Sequence, residues 1–526
     1  MSIIVQNYTA DIMISPTLSE LNALLESIEP PAILQLTAKM TARCTPVDLY
    51  TVLRSQSPKY SYLLESVEKE EQHARFSFVG SDPDAVITVS GRNISLKYET
   101  PTPLIEQIEA NLSDMLDGGV IRPEYDILDA LKPIIPKMHH IRTKNFDRQV
   151  FSGGAIGYHS YDIVYDCWLD IAPRHRMTTP DAQFMIVSHT MVFDHLADEL
   201  YIMLTPYVSD FGEDEVTKMY QNAISDVSRL MSMIREAEKP GRGRAERQRA
   251  QHTQHDPMIA NTKQDEFETM VGRAKQHIID GDIFQVVLSR RYEAINTRDP
   301  VELYEKLREV NPSPYMYLFE FGDVGIVGAS PETLFTVCNR KLITNPIAGT
   351  CPRGETEEED EKLALEMLDD EKECAEHVML VDLGRNDVRM VSKAGTVEVE
   401  DFMTVRKYSH LQHIESTVTG LLRDDCDAFD ATRAIFPAGT LSGAPKIRAM
   451  ELIDALEKDA RGIYGGGVGY YTWEGDADFA IVIRTIVMAG NRMFIQAGAG
   501  IVADSDPTYE YLETERKMAA MMKAIE

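Results

Sequence analysis

The chain has 526 residues, 44% hydrophobic and 26% charged, a globular balance long enough for a large two-lobed fold without disulfides or structural metals. Its net charge of −31 argues against a nucleic-acid or anionic-membrane partner, and means that any anionic substrate needs a locally cationic or metal-bearing pocket. Six scattered cysteines without a C-x-x-C pair exclude the common zinc and redox motifs and suit a reducing cytoplasm, and neither a cleavable N-terminus nor an apolar run of about 18 residues is read.

In chain order, residues 84–90 (DAVITVS) and 94–98 read as strands joined by a Ser-Gly-Arg-Asn turn. Residues 151–164 (FSGGAIGYHSYDIV) read as a glycine-weakened strand followed by a bend. Residues 185–192 and 200–204 read as a strand pair around HLADE, and 213–237 as a charged helix. Residues 236–257 are polar, basic and nearly free of large apolar side chains, so a solvated linker is expected over 236–260. Its HTQH, with His252 and His255, is too little for a metal site. The expected division is therefore an N-terminal segment 1–235, the linker, and a C-terminal segment 261–526.

Beyond the linker, helix and strand alternate. An amphipathic helix is expected at 267–280, a strand at 284–292 and a helix at 301–309. Further strands are expected at 315–321, 324–329, 333–337, 465–472, 479–487 and 493–497. Long helices are expected near 357–381, 428–436, 445–457 and 507–525. The pattern is α+β with a large mixed or antiparallel sheet, not regular βαβ repetition.

Several constellations can carry chemistry. Glu373 and Glu376 share one helical face at a three-residue step, where like charges destabilise unless a cation lies between them. Glu510, Glu513 and Lys517 share a face of the last helix, which Asp506 can cap and Pro507 can begin. Each pair alone reads as a solvated acidic face; two together suit one divalent ion such as Mg²⁺, which prefers oxygen ligands and keeps waters. The glycine-rich segments PIAGTCPRG, AGTLSGAPK, YGGGVGY and QAGAGIV offer backbone N–H groups to carboxylates, or else are simple turns. Arg484, inside FAIVIRTIV, is a costly charge unless it is paired or meets a ligand carboxylate. His413 in YSHLQHIESTV is a second polar residue among apolar ones. No phosphate-binding loop and no nucleophile elbow occur, so neither nucleotide binding nor glutamine hydrolysis is supported.

Together these residues resemble the chorismate-utilising enzymes. The likeness is carried by FQVVLSRR, GASPE, PIAGT-x-PRG, EHVMLVDLGRND, LQHI, AGTLSGAPK, YGGGVGY, IVIR, QAGAGIVADSDP and E-x-x-E-x-x-x-K. In the N-terminal part TPVDLY, LLESVE, ARFSFVG and FSGGAIGYHSYD resemble component I of anthranilate synthases. The resemblance implies a two-lobed, β-sandwich-like core with flanking helices, and chorismate in a cleft of C-terminal motifs. It implies Mg²⁺ on Glu376 and Glu513, with Glu373 and Glu510 acting through water. The ring carboxylate would lie near Gly349, Thr350, Gly498, Gly500 and Lys517, and the enolpyruvyl carboxylate on Tyr464 and Arg484. Glu332 would be the general acid, and His413, with Thr440 close by, would serve pyruvate elimination.

Within that family, members that add water carry a lysine where this chain has Gln285, and aminodeoxychorismate synthases commonly carry a lysine where it has Ala348. Direct attack by ammonia at C2 remains, so anthranilate synthesis is expected, with aminodeoxychorismate or isochorismate synthesis as the alternatives. The ammonia would come from a glutamine amidotransferase partner, the second component. LLES and NPSPYM resemble a tryptophan feedback site built from Glu65, Ser66, Asn311, Pro314, Tyr315 and Met316, where L-tryptophan would favour a less active state. Cys351 departs from the arginine that often follows PIAGT.

Overall fold

Whether a strand stays in one sheet or hands the chain to another decides this architecture. The computed structural model describes residues 13–41, 43–56, 59–67, 75–144, 146–239, 257–296, 298–407 and 411–526. Its strands form two 13-stranded sheets and a small sheet of three. In the first large sheet Tyr60–Glu65 pairs antiparallel with Tyr315–Phe321, Leu63 opposite Leu318. In the second, Gly154–His159 pairs antiparallel with Gly467–Thr472, Ala155 opposite Tyr471. These two pairings are seams. On one side of each lie strands no later than Glu199–Leu204, and on the other only strands from Ile259–Ala260 onward.

Alternation along each strand sends side chains to two different layers. Tyr62 joins an aromatic layer between the sheets, together with Phe78, Phe151, Tyr317, Phe319 and Tyr470. Its neighbour Leu63 faces the other way, into a layer closed by helices Pro46–Gln56, Glu213–Ala237, Pro300–Val310 and Pro507–Ile525. The far side of the second sheet is covered by Pro103–Ser113, Glu371–Val391 and Ala428–Ile435, and the same apolar layer runs on to Gln264–Ile279 and Lys446–Leu456, which pack on Gln285–Ile295 of the first sheet. Each fully buried Leu or Phe in these layers contributes about 1.5–3 kcal/mol. Gly80 stands opposite Tyr62 and Gly328 opposite Tyr317, and a Cβ on them would come within 2.3 and 2.1 Å of the facing ring. The two-sheet core with flanking helices is the α+β, sandwich-like fold expected.

Three stretches expected as single elements are broken. Residues 185–192 straddle two strands, Ala182–Val187 in the second sheet and His189–Asp194 in the first, the chain crossing at Ser188. Residues 479–487 likewise divide into Ala477–Ile481 and Thr485–Ala489, so Arg484 lies at a crossing and not in a strand, with φ of 50°. A third crossing, at Pro331–Glu332, follows Val324–Ser330 and precedes Thr333–Cys338. A continuous apolar run carries no mark of which sheet each residue joins. The long helix near 357–381 is two, Glu357–Leu368 and Glu371–Val391, because the Asp370 side chain accepts from the N–H groups of Lys372 and Glu373 at 2.9 and 3.2 Å and starts a new helix.

The expected linker is structured at both ends. The helix Glu213–Ala237 runs into it, and Ile259–Ala260 pairs with Gln285–Ile295. Residues 240–256, with His252 and His255, lie outside the described residues. Among the described residues no helix is long and apolar enough to cross a membrane.

Candidate active site

The crossings at Pro331–Glu332 and Val482–Arg484 run side by side. The Ile481 N–H donates to the Glu332 carbonyl at 3.0 Å, and the Ala329 N–H to the Arg484 carbonyl at 3.2 Å. Both side chains are thereby delivered to the place where the chain leaves one sheet for the other. The Thr440 hydroxyl donates to Glu332 Oε1 at 2.8 Å. Burial lifts the Glu332 carboxyl to about 7; the Thr440 hydrogen bond and the charges of Lys517 and Arg484 oppose the rise, and Glu415 adds to it. A carboxyl of that kind holds a proton near neutrality and can give it away. Arg484 is drawn down by burial and pushed back by Glu332, and among the described residues its guanidinium forms no salt bridge. Its fork is therefore available to an anion.

His413 lies opposite Thr350 across the strands Ile347–Pro352 and Leu411–Leu421. Its Nδ1 contacts the Gly349 carbonyl at 2.9 Å and Thr350 Oγ1 at 3.0 Å. Donation to the carbonyl fixes the neutral tautomer with its proton on Nδ1 and base character at Nε2. Burial lowers the pKa of the ring, the Gly349 bond raises it, and Arg484 lowers it further. Gly349 has φ of 64°, and a Cβ there would meet Ile414 at 3.0 Å, so the bend that presents this carbonyl requires glycine.

Gly498 is a hub. Its carbonyl accepts from Lys517 Nζ at 3.0 Å, and its N–H is directed at the hydroxyl of buried Tyr464. Gly500 stands opposite Val287, with the Gln285 amide nitrogen 2.8 Å from where a Cβ would be. Lys517 projects from helix Pro507–Ile525, which Asp506 caps through the Tyr509 N–H at 2.8 Å.

The two acidic helix faces meet electrostatically. Glu376 is raised by burial, with Lys372 opposing and Glu373, Glu513 and Asp370 adding. Glu373 is raised by burial and then by Asp370 and Glu513. Glu510 is raised by burial and by Glu513, against a Ser505 hydrogen bond and the charges of Lys372 and Lys517. Glu513 itself pairs with Lys517 at 2.6 Å. Among the described residues no three His, Cys, Asp or Glu side chains are grouped closely enough to hold a metal ion. The donor set, carboxylates that raise one another across two helices, is nonetheless the oxygen-only chemistry that fits Mg²⁺.

A separate cavity of about 520 Å³ is lined by Glu65, Ser66, Pro314, Tyr315 and Met316, a size suited to a small ligand. Asn311, expected with them, does not line it: its amide turns back to Ser313 Oγ at 3.3 Å. Glu65 accepts from the Tyr304 hydroxyl and pairs with Arg308 at 3.3 Å. The lining also includes Thr333 and Glu415, which stand close after Glu332 and His413 in sequence, so cavity and cleft share strands.

Sequence reasoning passed over Lys372, Glu415 and the pair Glu457–Arg461. Lys372, four residues before Glu376, carried a legible signal. Glu457 and Arg461, also four apart, are both buried, which their spacing does not reveal.

The two crossings thus bring a carboxyl raised by burial and an arginine with no salt bridge among the described residues into each other's field. The chain belongs to the chorismate binding enzyme family, which matches residues 116–523. It is 46% identical over 528 residues to anthranilate synthase component 1 of Haloferax volcanii, covering 96% of each chain. It is 40% identical to the component 1 of Acetivibrio thermocellus, covering 98% of this chain and 99% of that one. The crystal structure of anthranilate synthase component I from Streptococcus pneumoniae is similar with a TM-score of 0.66 at 35% identity, covering 86% of this chain and 93% of that one. The menaquinone-specific isochorismate synthase of Escherichia coli shares the fold, TM-score 0.64 at 17% identity, covering 97% of this chain and 99% of that one.

Proposed function

We propose that this chain converts chorismate and ammonia into anthranilate, pyruvate and water. The observation that carries the reading is Glu332, protonated near neutrality and held by Thr440 beside Arg484 and Lys517. Glu332 gives its proton to the departing 4-hydroxyl, which leaves as water, a step that hydroxide alone makes poorly. Arg484 and Tyr464 grip the enolpyruvyl carboxylate, and Lys517 with the Gly349, Thr350, Gly498 and Gly500 segment surrounds the ring carboxylate. Ammonia adds at C2; Gln285 and Ala348 offer no amine to compete with it. Neutral His413 accepts the C2 proton as the ring C–O bond breaks and the ring becomes aromatic; pyruvate leaves as its enolate, which takes a proton from the His413 imidazolium or from water.

Glu376 and Glu513, backed by Glu373 and Glu510, would hold Mg²⁺. When bound it withdraws electron density from the ring through the ring carboxylate. The relatives' designation as component 1 supports a second component; an amidotransferase that releases ammonia from glutamine is the partner this chain lacks. The cavity of about 520 Å³ supports tryptophan feedback, with the ammonium group near Glu65 and Ser66 and the indole against Pro314, Tyr315 and Met316.

The test is anthranilate fluorescence with chorismate, ammonium and Mg²⁺, with and without tryptophan. The reading expects anthranilate and pyruvate in equal amounts, suppressed by tryptophan. Aminodeoxychorismate or isochorismate as the accumulating product overturns it.

A further inference from the structure

Just before Tyr464 an ion pair lies out of reach of solvent. The Arg461 and Glu457 side chains are 1% and 5% exposed. Arg461 Nε and Nη2 donate to the two Glu457 oxygens at 3.0 and 2.6 Å. Its Nη1 donates to the Leu441 carbonyl at 2.6 Å and its Nη2 to the Val287 carbonyl at 2.7 Å. Glu457 Oε1 also accepts from the Ser289 N–H and hydroxyl at 2.8 and 2.9 Å. The guanidinium carbon lies 4.6 Å from the centre of the Tyr161 ring and 5.8 Å from that of Tyr464.

A pair this deep adds little net stability, because desolvating two charges offsets their attraction. Geometry is what it fixes, since a planar fork satisfies all these acceptors in one orientation only. The segments it joins are those of the cleft. Leu441 follows Thr440, whose hydroxyl holds Glu332. Val287 stands opposite Gly500, and Ser289 opposite Gly498. Tyr464 lies beneath the guanidinium with its hydroxyl against Gly498.

We infer that Glu457 and Arg461 are positioning residues for the reaction: they lock the Thr440 turn, Tyr464 and the Gly498–Gly500 strand in one mutual register, so that acid and carboxylate clamp meet the substrate together. The inference rests on the chorismate-converting reading above. Neither side chain reaches the cleft, so both act through the groups they hold.

The experiment compares Arg461→Lys, Glu457→Gln and Ser289→Ala in the full chain, each checked first for a cooperative melt. Arg461→Lys keeps the charge and loses the fork. It is expected to lower kcat/KM for chorismate by about 100-fold, mainly in kcat, with the KM for ammonia unchanged. The alkaline limb of its kcat–pH profile should also move upward, because a displaced Thr440 no longer favours the Glu332 carboxylate. Ser289→Ala removes one donor and leaves the ion pair, so it carries the decision if the other two do not fold; the same changes are expected, smaller. A folded variant with a lower melting temperature but unaltered kcat, KM and pH limb overturns the inference. Wild-type protein that forms no product from chorismate overturns the underlying reaction instead, and is seen before any variant is made.

Discussion

Arg461 leads into the glycine-rich YGGGVGY and Arg484 lies in the apolar FAIVIRTIV not far beyond it, and the two arginines are used in opposite ways. Around Arg461 the donors are taken by Glu457, Leu441 and Val287. Around Arg484 the backbone is forced to φ of 50° and the guanidinium has no salt bridge among the described residues. Burial is common to both; what separates scaffold from recognition is whether the protein itself answers the charge. An arginine that the fold leaves unanswered is held at a cost in stability, and that cost is recovered only when an anion arrives.

The largest effect should come from the carboxyl that feels Arg484. Glu332→Gln is expected to lower kcat by about 10²–10⁴-fold in a steady-state assay and to remove the alkaline limb. In the wild type that limb falls as pH rises through about 7, where Glu332 loses its proton. The same shift bears on folding. The folded value lies above the ordinary 4.5, so the folded state holds the extra proton. That stabilisation is complete below 4.5 and is lost as pH rises to about 7, so melts at high pH should favour the amide variant. Next, Arg484→Ala should cost about 2–5 kcal/mol of substrate interaction, roughly 30- to 5,000-fold in kcat/KM, without lowering the melting temperature. A large fall in melting temperature would erase the contrast between the two arginines.

Arg461→Met, unlike Arg484→Ala, should also lower stability, by about 3–5 kcal/mol in a denaturant titration, because Glu457 is left buried without its counter-charge. The smallest effect is expected away from both. Glu65→Gln should weaken tryptophan inhibition by about tenfold while leaving kcat without tryptophan unchanged, as read from inhibition curves.

Much of this was legible in the sequence because local rules and the family motifs agreed. Asp506 and Pro507 announce the last helix, and 315–321 appears as the strand Tyr315–Phe321. What stayed hidden depends on tertiary partners. Ser188 and Arg484 sit in apolar runs that look like single strands, and only the second sheet's presence makes them crossings. The spacing of Glu373, Glu376, Glu510 and Glu513 predicted two acidic faces suited to one ion; that the charge of Lys372 also reaches Glu510 on the second helix depends on packing. Asn311 belonged to the right motif, but its amide bonds locally and leaves the cavity to its neighbours.

The seams have a consequence for synthesis on the ribosome. Tyr60–Glu65 and Gly154–His159 emerge early, and each must wait for a strand made much later, Tyr315–Phe321 and Gly467–Thr472. Until then the nascent chain carries two bare, apolar β-edges, the kind of template on which chains stick to one another. Slow, non-local closure of this sort makes the unfinished polypeptide a client for chaperones, and coexpression of a holdase should raise the yield of soluble protein more than lowering the temperature does.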